Sequence, residues 1–260
     1  MQIEYPFLTD LGKNLVLLGF LGGLFIAALN TLGVTPVLFV SKISQKLQDA
    51  ALSFGAGVML AAAFTSLIVP GTETYGVLPV LVGIVLGATL LAFADRILPQ
   101  MHFIIGREGL KTERIRGIWL FVIAITLHNI PEGLAVGVGL GSGDIPKGLS
   151  LMAAIGLQNI PEGLAVGFSL LATGLYTRRQ SYTAGVISGI VEPPMALLGA
   201  WAVSISHSAL PYAMGFAGGA MIFVISDEII PETHKPGNER SSSLALIVGL
   251  ITMLVLDSIL

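Results

Sequence analysis

Of 260 residues, 54% are hydrophobic and 11% charged, with 13 Lys and Arg against 16 Asp and Glu and a formal net charge of −3. A soluble domain carries roughly 25% charged residues, so this chain has too few to cover a water-facing globule. A soluble enzyme, a disordered chain and a nucleic-acid binder are excluded, and lipid is the expected solvent. Cysteine is absent, which removes disulfides, thiolate metal sites and Cys nucleophiles. The opening MQIEYPFLTD has no basic n-region, so no cleavable signal peptide is expected. The 32 glycines suit close helix packing within a bilayer.

About 20 mainly apolar residues are needed to cross the hydrocarbon core as a helix. In chain order the apolar stretches predict eight spans, at about 11–40, 49–70, 75–98, 116–141, 147–175, 180–206, 209–232 and 242–260. The connections are short except 96–115, RILPQMHFIIGREGLKTERI. The reading is an all-α integral membrane protein, one transmembrane domain over 1–260. Eight spans place both termini on one face together with Lys13 and Lys147, while Lys42, Lys46, Arg96, Arg107, Lys111, Arg114, Arg116, Arg178, Arg179, Lys235 and Arg240 fall on the other. That asymmetry puts the 96–115 loop in the cytoplasm and both termini outside it, in a multi-pass protein of the cell (inner) membrane.

Two internal repeats follow. HNIPEGLAVG at 128–137 recurs as QNIPEGLAVG at 158–167, in consecutive and therefore oppositely directed spans. A weaker match joins FGAGVMLAAAFTSLIVP (54–70) in the second span to GFAGGAMIFVISDEIIP (215–231) in the seventh. Both pairs predict inverted-repeat pseudo-symmetry, and transporters commonly place their site at such a repeat interface.

Ionisable groups inside the membrane are costly, at about 3 kcal/mol even on insertion scales, and mark function. The fourth span carries His128, Asn129 and Glu132, the fifth Gln158, Asn159 and Glu162, and the sixth Glu192, with no Lys or Arg in their central stretches. Buried carboxylates without cationic partners must be neutralised by protons or by metal ions. His128 and Glu132 are four residues apart and share a helix face, as do Gln158 and Glu162. Asn129 and Asn159 stand about 100° round their helices, each three residues before the Glu. Two facing helices of this kind can hold two cations bridged by carboxylate, and the imidazole, carboxylate and amide set suits Zn²⁺, Fe²⁺ or Mn²⁺ better than Cu⁺. Pro131 and Pro161 free the carbonyls of Leu127 and Leu157 beside these groups, and Pro193 and Pro194 free those of Gly189 and Ile190. Such irregular backbone is tolerated where it lines a polar cavity. Asp95, Asp227 and Glu228 approach the cytoplasmic side, either as a release site or as partners of Arg96 and Lys235. Gly133, Gly137, Gly163 and Gly167 read as helix-packing positions.

At His128-Asn129-Ile130-Pro131-Glu132-Gly133 and Gln158-Asn159-Ile160-Pro161-Glu162-Gly163, extended by Glu192 and DEIIPETH (227–234), the chain resembles the ZIP family of divalent metal transporters. The Gln158 form is similar to the prokaryotic GufA-like branch. The resemblance implies the ZIP fold and a binuclear site midway across the membrane. One metal would fall to His128, Glu132, Gln158 and Glu162, and the second to Asn129, Asn159, Glu162 and Glu192, with Glu162 bridging. It assigns Asp95, Asp227 and Glu228 to a cytoplasmic exit site. Many relatives carry His where Gln158 stands, and an acid or another ligand can occupy the position of Asn159, so the neutral residues here imply a weaker second position.

The expected function is uptake of a divalent metal into the cytoplasm, zinc first, with Fe²⁺, Mn²⁺ and Cd²⁺ as further cargo. Divalent ions and membrane lipid are the expected partners. The Gly-rich apolar exterior permits a homodimer, and no organic cofactor is expected. The alternative is an intramembrane metal-dependent hydrolase built on a metal-bound water.

Overall fold

In lipid a backbone must satisfy its own N–H and C=O groups, and apolar runs of this length do so as helices. The computed structural model describes residues 14–97, 126, 129–234 and 236–259, and among them every regular element is helical. We number the helices α1 (Leu15–Leu38, its last turn 3₁₀), α2 (Gln45–Tyr75), α3 (Val77–Ile97), α4 (129–141), α5 (Ile145–Ala172), α6 (Arg178–Ile205), α7 (Leu210–Thr233) and α8 (Glu239–Ile259). Among the described residues, α1, α2, α5, α6, α7 and α8 are long and apolar enough to cross a membrane. Residues 98–125, with the 96–115 loop and the start of the expected span at 116–141, lie outside the described residues.

Local chemistry sets the helix starts. Asn14 accepts from Leu17 N at the head of α1, Ser44 from Leu47 N at α2 and Asp144 from Lys147 N at α5. Thr177 and Gln180 form a reciprocal capping box at α6, closing two of the four orphan donors there. The single residue between α2 and α3 is Gly76 at φ +88°, a conformation that a side chain would disfavour.

One expected boundary is corrected and one expected span contains a break. The expected stop at Pro70 is not a stop: α2 runs on to Tyr75 through a π-helical segment at Ala63–Ile68. There Val69 N–H reaches Phe64 O, five residues back, and the shifted register absorbs the donor that Pro70 lacks. The same device recurs in α7, where the π segment Ile225–Ile229 precedes Pro231 and Ile230 N–H reaches Ile225 O. The weaker repeat in the sequence is thus a repeat of structure. The expected span at 180–206 is matched by α6, Arg178–Ile205, but it is not one unbroken helix. It is two half-helices, Arg178–Gly189 and Glu192–Ile205, separated by a turn at Ile190 and Val191. Pro193 and Pro194 supply no N–H to continue the first half, so the helix restarts at Glu192.

Four glycine-lined crossings assemble the bundle. A Cβ placed on Gly33 would strike the Ile160 backbone and one on Gly163 the Asn30 backbone, joining α1 to α5. Gly57 and Gly249 bring α2 against α8, Gly83 and Gly219 bring α3 against α7, and Gly137 and Gly199 bring α4 against α6. All four pairs run parallel: Val80 faces Gly215 while Ile84 faces Gly219, for example. Small residues permit this approach, and in lipid van der Waals contact is what holds the helices together. The buried interior contains Ile26, Met59, Leu67, Leu140, Leu151, Ile155, Phe168 and Met221. Large apolar side chains stand exposed on α3 (Leu78, Val85, Leu86, Phe93) and α8 (Leu244, Val248, Ile251), as lipid-facing surfaces do.

Candidate metal-transport site

The site grows from the break in α6 and the proline-bearing turns of α4 and α5. Pro161 sits inside α5 and Pro131 inside the helical 129–141 segment. Each sits one residue before a Glu, and the third Glu opens the second half of α6. Gly133 lets α4 approach Glu192 itself, because a Cβ there would lie 2.6 Å from the Glu192 carbonyl oxygen.

Burial is nearly complete. Asn129 and Glu132 are each 1% exposed, Gln158 2%, Asn159 1% and Glu192 0%, and Glu162 is half-buried. Glu162 acts electrostatically on both Glu132 and Glu192, and Glu192 also acts on Glu132, so the three carboxylates stand within reach of one another's charge. No Lys or Arg occurs in 117–146, 148–177 or 180–234 to offset them. Ionising these acids in a low-dielectric interior is costly unless a proton or a metal ion offsets the charge.

The amides order the acids. Asn159 Nδ2 donates to Glu192 Oε1 at 3.0 Å and to Ile26 O on α1 at 3.3 Å. Gln158 Nε2 donates to Asn159 Oδ1. Asn129 Nδ2 donates to Ser188 O at 2.9 Å. Gln158 lies beside Glu132, yet neither oxygen of Glu132 meets hydrogen-bond geometry with a neighbour, because the Gln158 amide is turned onto Asn159. Glu132 Oε1 and Oε2, Glu192 Oε2 and Asn129 Oδ1 are buried without a hydrogen-bond partner. A buried polar atom in that condition calls for an explanation, and a bound ion is one.

Of the ten residues singled out in the sequence, the structure brings Asn129, Glu132, Gln158, Asn159, Glu162 and Glu192 together. His128 lies outside the described residues. Among the described residues no three His, Asp or Glu side chains are gathered as a closed metal-holding group. Asp227 is exposed and Glu228 partly buried, both in the π segment of α7. Asp95 lies near the end of α3, and its side chain lies outside the described residues. The glycines at 133, 137, 163 and 167 are all at close helix contacts.

The structure adds polar groups that the motif reading passed over. Asn30 in α1 is 1% exposed and donates to Gly185 O at 2.8 Å. Asp49 in α2 is 1% exposed and accepts from Gln45 Nε2 and Asn238 Nδ2, each at 2.7 Å. Ser53, Thr65 and Ser66 bury hydroxyls on α2 without hydrogen-bond partners. Asn30 had a signal: it ends an uninterrupted apolar run from Leu15 to Leu29.

Comparison with known proteins agrees with this architecture. The family model described as ZIP zinc transporter matches residues 105–257. The chain is 42% identical to the zinc transporter ZIPB of Bordetella bronchiseptica over 96% of its own length and 84% of the relative's. It is 39% identical to the zinc transporter GufA of Myxococcus xanthus, over 92% of this chain and 97% of that one. It is 32% identical to the human zinc transporter ZIP11, over 95% and 98% of the two chains. These relatives are named as transporters, which sets aside the hydrolase alternative. The chain is a multi-pass membrane protein and belongs to the ZIP family.

Proposed function

We propose that this protein carries Zn²⁺ across the cell membrane into the cytoplasm, through a binuclear site held by α4, α5 and α6. The observation that carries the reading is the trio Glu132, Glu162 and Glu192: two buried and one half-buried, within reach of one another's charge, with unpartnered oxygens on Glu132 and Glu192 and no Lys or Arg in 117–146, 148–177 or 180–234. Two divalent cations against three carboxylates leave about one positive charge, close to balance, whereas the trio alone carries three negative charges. His128, Glu132, Gln158 and Glu162 form one metal position; Asn129, Asn159, Glu162 and Glu192 form the other. The neutral amides of the second position make it the weaker.

Eight spans, with both termini outside the cytoplasm, fit the parallel crossings. α3 and α7 run in the same direction with three helices between them, and α2 and α8 do so with five between them. Strict alternation of direction requires both. The register of the α3–α7 crossing, Ile84 against Gly219, carries Asp95 to the level of residue 230, just past Asp227 and Glu228. That supports a release site near the cytoplasmic end. The names of the relatives support zinc as the cargo. The imidazole, carboxylate and amide donors also accept Fe²⁺, Mn²⁺ and Cd²⁺.

The test is radioactive zinc uptake into proteoliposomes holding the purified protein, with unlabelled Fe²⁺, Mn²⁺ and Cd²⁺ as competitors. Zinc accumulation above empty vesicles is expected. No flux from protein that elutes and melts as a folded species would overturn the reading.

A further inference from the structure

The first half of α6 ends inside the protein, where its last carbonyls lose their helical donors. Ile190 and Val191 turn, and Glu192 starts a new helix with prolines at 193 and 194. Carbonyls at a helix end need other partners when water is absent. Ser188 O, in that last turn, accepts from Asn129 Nδ2 of α4 at 2.9 Å, and Gly185 O, one turn deeper in the helix, accepts from Asn30 Nδ2 of α1 at 2.8 Å. Ser188 Oγ shares the Gly185 carbonyl at 2.8 Å.

Asn129 belongs to the site already described; Asn30 does not. Its side chain fills the space over two glycines that flank the site acids. A Cβ on Gly189 would lie 2.6 Å from Asn30 Nδ2, and one on Gly163 would lie 2.8 Å from Asn30 Oδ1. Gly163 directly follows Glu162, and Gly189 lies three residues before Glu192. One turn earlier on α1, the Ile26 carbonyl accepts from Asn159, which also holds Glu192. Asn30 is therefore wedged between the backbone that carries Glu162 and the turn that carries Glu192. An apolar side chain of the same size would fill the volume but could not donate to Gly185.

We propose that Asn30 is a positioning residue of the metal site: its amide, bonded to Gly185 and seated on Gly163 and Gly189, sets the separation of Glu162 from Glu192. The inference rests on the reading of α4, α5 and α6 as a zinc site. Asn30 acts through the helices and does not touch the metal. Losing it loosens the position that Glu162 shares with Glu192 more than the position completed by His128 and Glu132.

The test uses full-length N30A, N30S and N30D in detergent, with zinc affinity and zinc equivalents per chain measured by titration and by elemental analysis. N30D keeps the size of the side chain but aims a carboxylate oxygen at the Gly185 carbonyl. Expected is a loss of about 10- to 100-fold in affinity for one of two zinc equivalents, the range seen when a group that orients a metal ligand is removed. The effect of N30A should also vanish in an E192Q background. A folded variant that binds two equivalents with wild-type affinity, even with a lowered melting temperature, overturns the proposal and leaves Asn30 a packing residue. Failure of all three variants to fold overturns it too, by assigning Asn30 to folding. E162Q and E192Q run alongside: if they lose zinc and the Asn30 variants do not, only the positioning role fails, whereas if they keep two zinc equivalents the zinc-site reading itself fails.

Discussion

Asn129 and Ser188 are joined side chain to backbone: the Asn129 amide nitrogen gives its proton to the Ser188 carbonyl at 2.9 Å, and the amide oxygen is left buried without a partner. The bond commits the amide nitrogen to the backbone and leaves the oxygen as the end free to take a ligand. A donor there would repel a cation, and the oxygen attracts one.

Asn129→Ala should therefore act twice, removing an oxygen from the second metal position and orphaning a carbonyl at the α6 break. Zinc uptake is expected to fall about 10- to 100-fold, in the range for ligands and their supports. Initial rates in proteoliposomes at graded zinc concentrations measure it. Wild-type rates would remove Asn129 from the pathway.

Glu162→Gln keeps shape and loses the charge that acts on both other glutamates. A fall in flux of about 10- to 100-fold is expected, the range for removing a metal ligand or its support. The melting temperature should hold or rise, since like-charge repulsion is relieved. Uptake and thermal melting are compared on the same preparation. Unchanged flux would move the metal path away from α5.

Zinc binding should release protons. Three carboxylates in a dry interior with no cation are neutral only if protons occupy them, and metal ligands must be deprotonated to bind. Calorimetric titration of zinc in two buffers of different ionisation enthalpy counts the protons released, and at least one per chain is expected. Uptake should slow as pH falls, because protons compete with zinc for the same oxygens. A count of zero, with flux flat between about pH 5.5 and 8, would remove this competition.

The glycine crossings make a contrasting pair of variants. A Cβ at Gly137 falls on the backbone of Ala196, whereas one at Gly55 sits 3.5 Å from Gln158 Cβ in ordinary contact. Gly137→Val should destabilise by about 1–3 kcal/mol, as overpacking does, and Gly55→Ala should fold normally. Melting in detergent separates them. Equal stability would mean that the α4–α6 crossing can spread.

The helical, membrane-spanning character was legible because charge is so scarce that each Lys, Arg and Glu carries topological weight. The paired Asn-Ile-Pro-Glu-Gly motifs stood out for the same reason, and Asn129, Glu132, Gln158, Asn159 and Glu162 do gather with Glu192. Pro70 misled as a terminator, since a π turn can absorb a missing donor and no composition signal marks one. The break at Ile190–Val191 was visible only as a proline pair, because apolar residues continue on either side. Asn30 escaped because it lies outside any repeat and its role depends on which helix passes Gly163, a fact of packing and not of local sequence.

The parallel glycine seams carry an evolutionary corollary. α1 lies along α5, α2 along α8, α3 along α7 and α4 along α6, each partner pointing the same way. Deleting or inserting a single crossing between two partners would turn one of them upside down and misalign every small-residue notch in that seam. Between α1 and α8, descendants of this architecture can gain or shed membrane passes only two at a time.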